Sequence, residues 1–272
     1  WRKDGDEKKP PAYDLKKAAV RSTAPHLIIP GKYKEWINAR CGDMDITKLA
    51  GRSTVIRVKL PEIYISLFTN PIDKKEEKQE PVDIEDLIAH GRTLVIEGRA
   101  GSGKTTLAKH FAHMMIESRD WKGLEGQLPV LVFLKDLKGF DTTGLAGNSD
   151  TAEKLLAYWS KATDSFLDVE TIRAFCEAGK TVFFLDGLDE IDESLRELVV
   201  RSFHGIKIKH ENCKIVLSGR PHGVNDAVKK WFGQRHVEIL PLLMTQVEQF
   251  IHKWFQFVYE SDRSDVKKTA RD

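Results

Sequence analysis

Four short, unbroken apolar runs stand in the middle of the chain: Leu94–Ile96, Pro129–Leu134, Lys180–Leu185 and Lys214–Ser218. Runs of this length suit strands covered on both faces, as in a parallel sheet. Helical patterns separate them. Thr105–Ile116 has apolar residues at helical spacing and follows Arg92–Glu97, which reads as a buried strand. Asp168 caps a second predicted helix that runs to Ala178 and stops at Gly179, and Asp192 starts a third that ends near His204 and Gly205. Strand–helix alternation at this spacing predicts an α/β layered domain with a central, mainly parallel sheet flanked by helices.

Outside this core the pattern changes. Residues 1–12 are charged and proline-containing and read as loosely ordered. Lys32–Arg40 is helix-like, while Ser53–Leu60 and Ile63–Phe68 are strand-like. Asp73–Glu80 carries seven charges in eight residues that nearly cancel, which predicts a solvated linker. Near the end, Pro241 closes a strand-like Val237–Leu240, and Thr245 with Glu248 fits a capping box. Val247, Phe250, Ile251, Trp254, Phe255 and Val258 then share one helical face, as expected for a helix of a small helical subdomain. The final thirteen residues are mostly polar and read as a linker or the start of a further element. The resulting division is an N-terminal segment (1–60), a stretch leading into the core (61–90), the core (91–238) and the beginning of a helical subdomain (239–272).

Composition narrows the partners. The 272 residues carry 43 basic and 41 acidic side chains, a formal net charge of +2. That balance gives no electrostatic case for a specific nucleic-acid partner or an anionic membrane. Cys41, Cys176 and Cys213 are scattered and odd in number, so neither a disulfide framework nor a zinc site is indicated, and a reducing, cytoplasmic setting is expected. No apolar run approaches the roughly 18 residues of a membrane span. The first residue is Trp1 rather than Met, and the chain reads as a fragment.

Between the first strand and its helix lies Gly98-Arg99-Ala100-Gly101-Ser102-Gly103-Lys104-Thr105, followed by Thr106. It fits G-x-x-x-x-G-K-[ST] in full, the loop that wraps nucleotide phosphates. Its glycines let the backbone curl with N–H groups inward, and the phosphates then meet the positive end of the helix. Lys104 brings a full charge to the outer phosphates, and the Thr105 hydroxyl is a Mg²⁺ ligand. An accidental glycine turn is the competing reading, and the strand and helix on either side weigh against it. His110 and His113 share one face of that helix and are expected on its exterior.

The stretch that selects a reaction is Val182-Phe-Phe-Leu-Asp186-Gly-Leu-Asp189-Glu190. An apolar strand delivers Asp186 to its C-terminal end, where open α/β sheets bind ligands, and there it would hold the Mg²⁺ shell. Asp189 and Glu190, just beyond, would orient and polarise the attacking water; a surface acidic turn is the alternative. Arg220, at the end of Ile215-Val-Leu-Ser-Gly-Arg220-Pro221, would reach the same edge and sense the γ-phosphate, or else be an ordinary surface arginine. No N-K-x-D stretch is present for guanine readout, and Leu217-Ser-Gly follows the acidic strand, whereas an ABC-transporter signature precedes it.

Taken together, Gly98–Thr105, Phe184–Glu190 and Leu217–Pro221 resemble a NACHT domain, a P-loop ATPase of the STAND class with the ASCE type of sheet. The tandem acids of Asp-Gly-Leu-Asp-Glu are its most specific element, and the resemblance runs from about residue 60 to 258, more weakly before it. It implies ATP and ADP as ligands with Mg²⁺, and slow hydrolysis. It further implies a switch that is closed with ADP and forms homo-oligomers with ATP, in innate immune or anti-phage defence with unknown trigger and effector. A winged-helix histidine contacting the ADP phosphate is also implied, and none of the nine histidines here is assigned that role. The rival reading is a nucleotide-binding interaction module that barely hydrolyses.

Overall fold

The computed structural model describes residues 27–45, 57–72, 81–117, 121–232 and 235–269. In chain order the elements are α1 (Gly31–Cys41), β1 (Asp43–Asp45), β2 (Arg57–Lys59), α2 (Leu60–Ile63), β3 (Phe68–Pro71), β4 (Val82–Asp83) and α3 (Ile84–His90). They continue with β5 (Thr93–Glu97), α4 (Lys104–Glu117), β6 (Leu128–Phe133), α5 (Ser149–Thr163), α6 (Val169–Glu177) and β7 (Thr181–Asp186). The last are α7 (Glu193–Lys209), β8 (Lys214–Gly219), α8 (Asp226–Phe232), β9 (His236–Ile239) and α9 (Met244–Thr269).

Seven strands form one sheet in the order β4-β3-β9-β5-β8-β7-β6. From β9 to β6 every neighbouring pair is parallel, with Val95 opposite Leu217, Leu217 opposite Leu185 and Leu185 opposite Val132. β3 and β4 add an antiparallel edge. Every residue of β5, β6 and β7 is buried, as continuous apolar runs require when helices cover both faces. α4 lays Leu107, Ala108, Phe111, Ala112 and Met115 inward at helical spacing, and α7 does so with Leu195, Val199, Phe203 and Ile206. Asp83, Asn148, Asp168 and Asp192 cap four helices, each accepting from a backbone N–H in the first turn. One core cluster spans these layers and includes Tyr33, Ile37 and Cys41 of α1.

Several sequence expectations need correction. Of the strand expected at 53–60, the described part is Arg57–Lys59, and Leu60 already begins α2 with Pro61 in its first turn. Ile63–Phe68 is not a strand: Ile63 ends α2, Tyr64 is extended, Tyr64–Leu67 lies outside the ladder, and pairing starts at Phe68. The ladder is absent there because other partners take the backbone acceptors. Lys253 and Gln246 side chains donate to the carbonyls of Tyr64 and Ser66. α7 does not stop at Gly205 but runs on to Lys209; Gly205 serves close packing, since a Cβ there would lie 2.6 Å from the Ser149 nitrogen. The capping box at Thr245 does not form. α9 starts at Met244, and Gln246 instead reaches back to the Leu243 N–H at 2.8 Å. Its helix continues to Thr269, through the polar stretch that reads as a linker. Residues 1–12 and 73–80 lie outside the described residues.

Candidate functional site

The glycine-rich loop crosses from the C-terminal end of β5 to the first turn of α4. Gly101 and Gly103 sit at φ +77° and +94°, a region that side chains disfavour. The loop's open N–H groups and the start of a 14-residue helix make a positive cradle. Lys104 Nζ donates to the carbonyls of Gly98 (2.6 Å) and Arg99 (3.0 Å), folding over the loop. Burial pushes its pKa down, while Asp189, Asp186 and Glu190 pull it up and Arg220 lowers it. The cation therefore lies within electrostatic reach of all four charged residues picked out from the sequence.

Asp186 closes β7 with its side chain buried at 5% exposure. The Thr105 hydroxyl donates to one carboxylate oxygen at 2.6 Å, and the Ser218 hydroxyl, from the neighbouring β8, donates to the other. The carboxylate is thus held between two strands and the phosphate loop. Gly187 at φ +90° then turns the chain into a short 3₁₀ turn, Leu188–Glu190, which carries the two further acids. Their environments differ. Asp189 is nearly buried and accepts from the Arg220 backbone N–H at 2.9 Å, with Arg220 Nε 3.1 Å from its second oxygen. Glu190 is exposed to solvent. From α7, the Arg196 guanidinium donates to the carbonyls of Leu188 and Ile191 and pins both sides of this turn.

The structure thus brings Gly98–Thr106, Asp186, Asp189, Glu190 and Arg220 to one edge of the sheet. Sequence reasoning missed Ser218, although it lies inside a quoted motif, and missed Arg196, whose carbonyl acceptors leave no trace in sequence. The histidine expectation is overturned. His110 is 6% exposed, covered by Tyr64 in a parallel stack at 3.7 Å between ring centres, and Trp121 meets its edge at 6.0 Å. His113 is half-buried, with Nδ1 3.1 Å from the Asn38 side chain of α1. Segments remote in sequence cover this face of α4.

A cleft of about 520 Å³ opens beside the loop. One wall is the loop itself, from Arg99 to Gly103. Another is the strap Tyr64–Leu67, and a third is the turn Leu240–Leu242 that leads into α9. Its lining is mostly apolar but includes Glu238, and its volume is that of a small-ligand site. Among the described residues no group of three or more His, Cys, Asp or Glu is placed to hold a metal ion. The donor set at the loop is instead one hydroxyl and one carboxylate, Thr105 and Asp186, which suits Mg²⁺ completing its shell with phosphate oxygens and water. No helix among the described residues is long and apolar enough to cross a membrane. A family model described as NACHT domain matches residues 92–257, more than half of the 272-residue chain. No curated protein matches the chain.

Proposed function

The chain belongs to the NACHT domain family, which makes it a nucleotide-binding P-loop NTPase, and on that premise we propose that it binds Mg–ATP and hydrolyses it slowly as a signalling switch. In this reading the ADP form is closed, the ATP form oligomerises, and the switch works in the cytoplasm in innate immune or anti-phage defence. One observation carries the catalytic part: the pairing of Asp189 with Arg220 beside a doubly held Asp186, all within reach of Lys104.

The roles divide by environment. Loop N–H groups cradle the phosphates, and Lys104 moves from its own loop carbonyls to the outer phosphate oxygens. Thr105 and Asp186 would hold Mg²⁺, which would neutralise phosphate charge. Asp189 is engaged by Arg220, so Glu190, exposed and one residue on, orients the attacking water. Asp189 positions Arg220, whose guanidinium is half exposed and senses the γ-phosphate. The apolar cleft takes the base.

Engagement of Asp189 by Arg220 also favours a second reading, a binding module with little turnover. Denaturing the purified protein and identifying released nucleotide by chromatography tests the switch. Stoichiometric ADP is expected; protein that is empty and binds no added ATP would overturn the proposal.

A further inference from the structure

Two walls of the cleft come from opposite ends of the domain, and one buried side chain joins them. Gln246, in the first turn of α9, is 6% exposed, and both of its polar atoms are hydrogen-bonded. Its Oε1 accepts from the Leu243 N–H at 2.8 Å, fixing the turn that supplies Leu240–Leu242. Its Nε2 donates to the Ser66 carbonyl at 2.6 Å, in the middle of the strap. Seven residues later, on the same helical face, Lys253 Nζ donates to the Tyr64 carbonyl at 2.7 Å. The strap has no ladder pairing of its own between Ile63 and Phe68, so these two side chains stand where sheet hydrogen bonds would. The strap is also tied by Tyr64 N–H donating to the Leu60 carbonyl, by the Ser66 hydroxyl donating to Asp83, and by the Leu67 carbonyl accepting from Ile84 N–H. The Tyr64 ring stacks on His110 of the phosphate-loop helix.

Resting on the nucleotide reading above, we infer that Gln246, assisted by Lys253, is a positioning residue for the base-bearing end of the nucleotide. It sets the spacing between strap and turn, so docking of α9 tunes affinity for the nucleoside and leaves the phosphate cradle untouched. The cradle is built from β5, α4, β7 and β8, and neither of Gln246's hydrogen bonds goes to any of them. α9 has a separate anchor, since Phe250, Trp254 and Phe257 pack on Val58, Leu60 and Ile63. A change at Gln246 therefore loosens the strap without releasing the helix.

The test uses Gln246→Glu, which keeps the acceptor for Leu243 N–H but replaces the donor to Ser66 with a carboxylate oxygen facing a carbonyl. Calorimetry would measure Mg–ATP and Mg–tripolyphosphate binding to wild type, Gln246→Glu and Lys253→Met. The expected result is ATP affinity about tenfold weaker in Gln246→Glu, a smaller loss in Lys253→Met, and tripolyphosphate affinity unchanged in both. Equal losses for both ligands would reduce Gln246 to a general stabiliser, and unchanged ATP binding would remove the clamp; either overturns the inference. Wild-type protein that binds neither ligand would sink the nucleotide reading itself, and the clamp with it.

Discussion

Asp189 and Glu190 are chemically alike and adjacent, yet the structure gives them different surroundings. The Asp189 carboxylate already has both oxygens engaged, by the Arg220 backbone N–H and guanidinium, whereas the exposed Glu190 carboxylate is free to hold water. Glu190→Gln is therefore expected to keep ATP affinity and lower turnover by about 100-fold or more, in line with loss of a general base. Asp189→Asn should impair discrimination of ATP from ADP more than binding itself, as Arg220→Ala should. Filter-binding and single-turnover assays separate these, and loss of turnover only in Asp189→Asn would exchange the roles. His110 offers a second prediction. Burial, with His113 and Lys253 adding to it, pushes its pKa down to about 4 from an ordinary 6.5. The unfolded chain then binds a proton that the fold refuses between those values, so stability falls as pH drops through this window. By pH 4 the loss is about 3 kcal/mol. His110→Phe, which keeps a ring on Tyr64, should flatten that part of the stability–pH curve; an unchanged slope in urea titrations would show that other groups cause it.

Among the elements, α7 shows how a local rule yields to packing. Gly205 would ordinarily end a helix, yet α7 passes through it because the Asn148–Ser149 backbone at the start of α5 lies against that position. Gly→Ala usually stabilises a helix interior by roughly 0.5–1 kcal/mol. Here the added methyl would meet the Ser149 nitrogen at 2.6 Å and the Asn148 carbonyl carbon at 2.9 Å. Gly205→Ala should instead destabilise by about 1–3 kcal/mol through overpacking, read as a lower urea midpoint. A higher midpoint would mean that the α5–α7 contact yields. The helix starts at Asp168 and Asp192 and the central strands were legible, because caps and buried runs are local signals, whereas the start of α9 and the caps Asp83 and Asn148 were not read. The strap was misread because Ile63–Phe68 has strand-like residues, whereas the partners of its carbonyls lie about 180 residues away on α9.

For the whole molecule, the family match begins at residue 92, but the core does not. Tyr33, Ile37 and Cys41 of α1 are fully buried within it. The Tyr33 hydroxyl donates to the Pro129 carbonyl at 2.7 Å, and the Trp36 indole N–H donates to the Thr163 carbonyl at 3.0 Å. α1 thus braces β6 and the end of α5. At about 1.5–3 kcal/mol for each buried large side chain, its removal costs an amount comparable to the 5–15 kcal/mol stability of a typical domain. A fragment starting at residue 92 should fail to fold cooperatively by circular dichroism, and a sharp melting transition at the full chain's temperature would refute the bracing role. The switch proposed above would need less energy than this: a differential of about 3 kcal/mol between nucleotides shifts two states by more than a hundredfold.

The chain by itself determined the phosphate loop, the Asp186 strand end and the alternation of buried strands with capped helices. Each of these depends on residues adjacent in sequence or spaced by one helical turn, so the backbone's own geometry fixes them. Tertiary structure alone decided which acid stays free, what surrounds His110, how α1 joins the core and what holds the strap beside the cleft. Those outcomes rest on single contacts between segments tens to hundreds of residues apart. Their acceptors are often backbone carbonyls that every residue possesses, and only the folded chain selects among them.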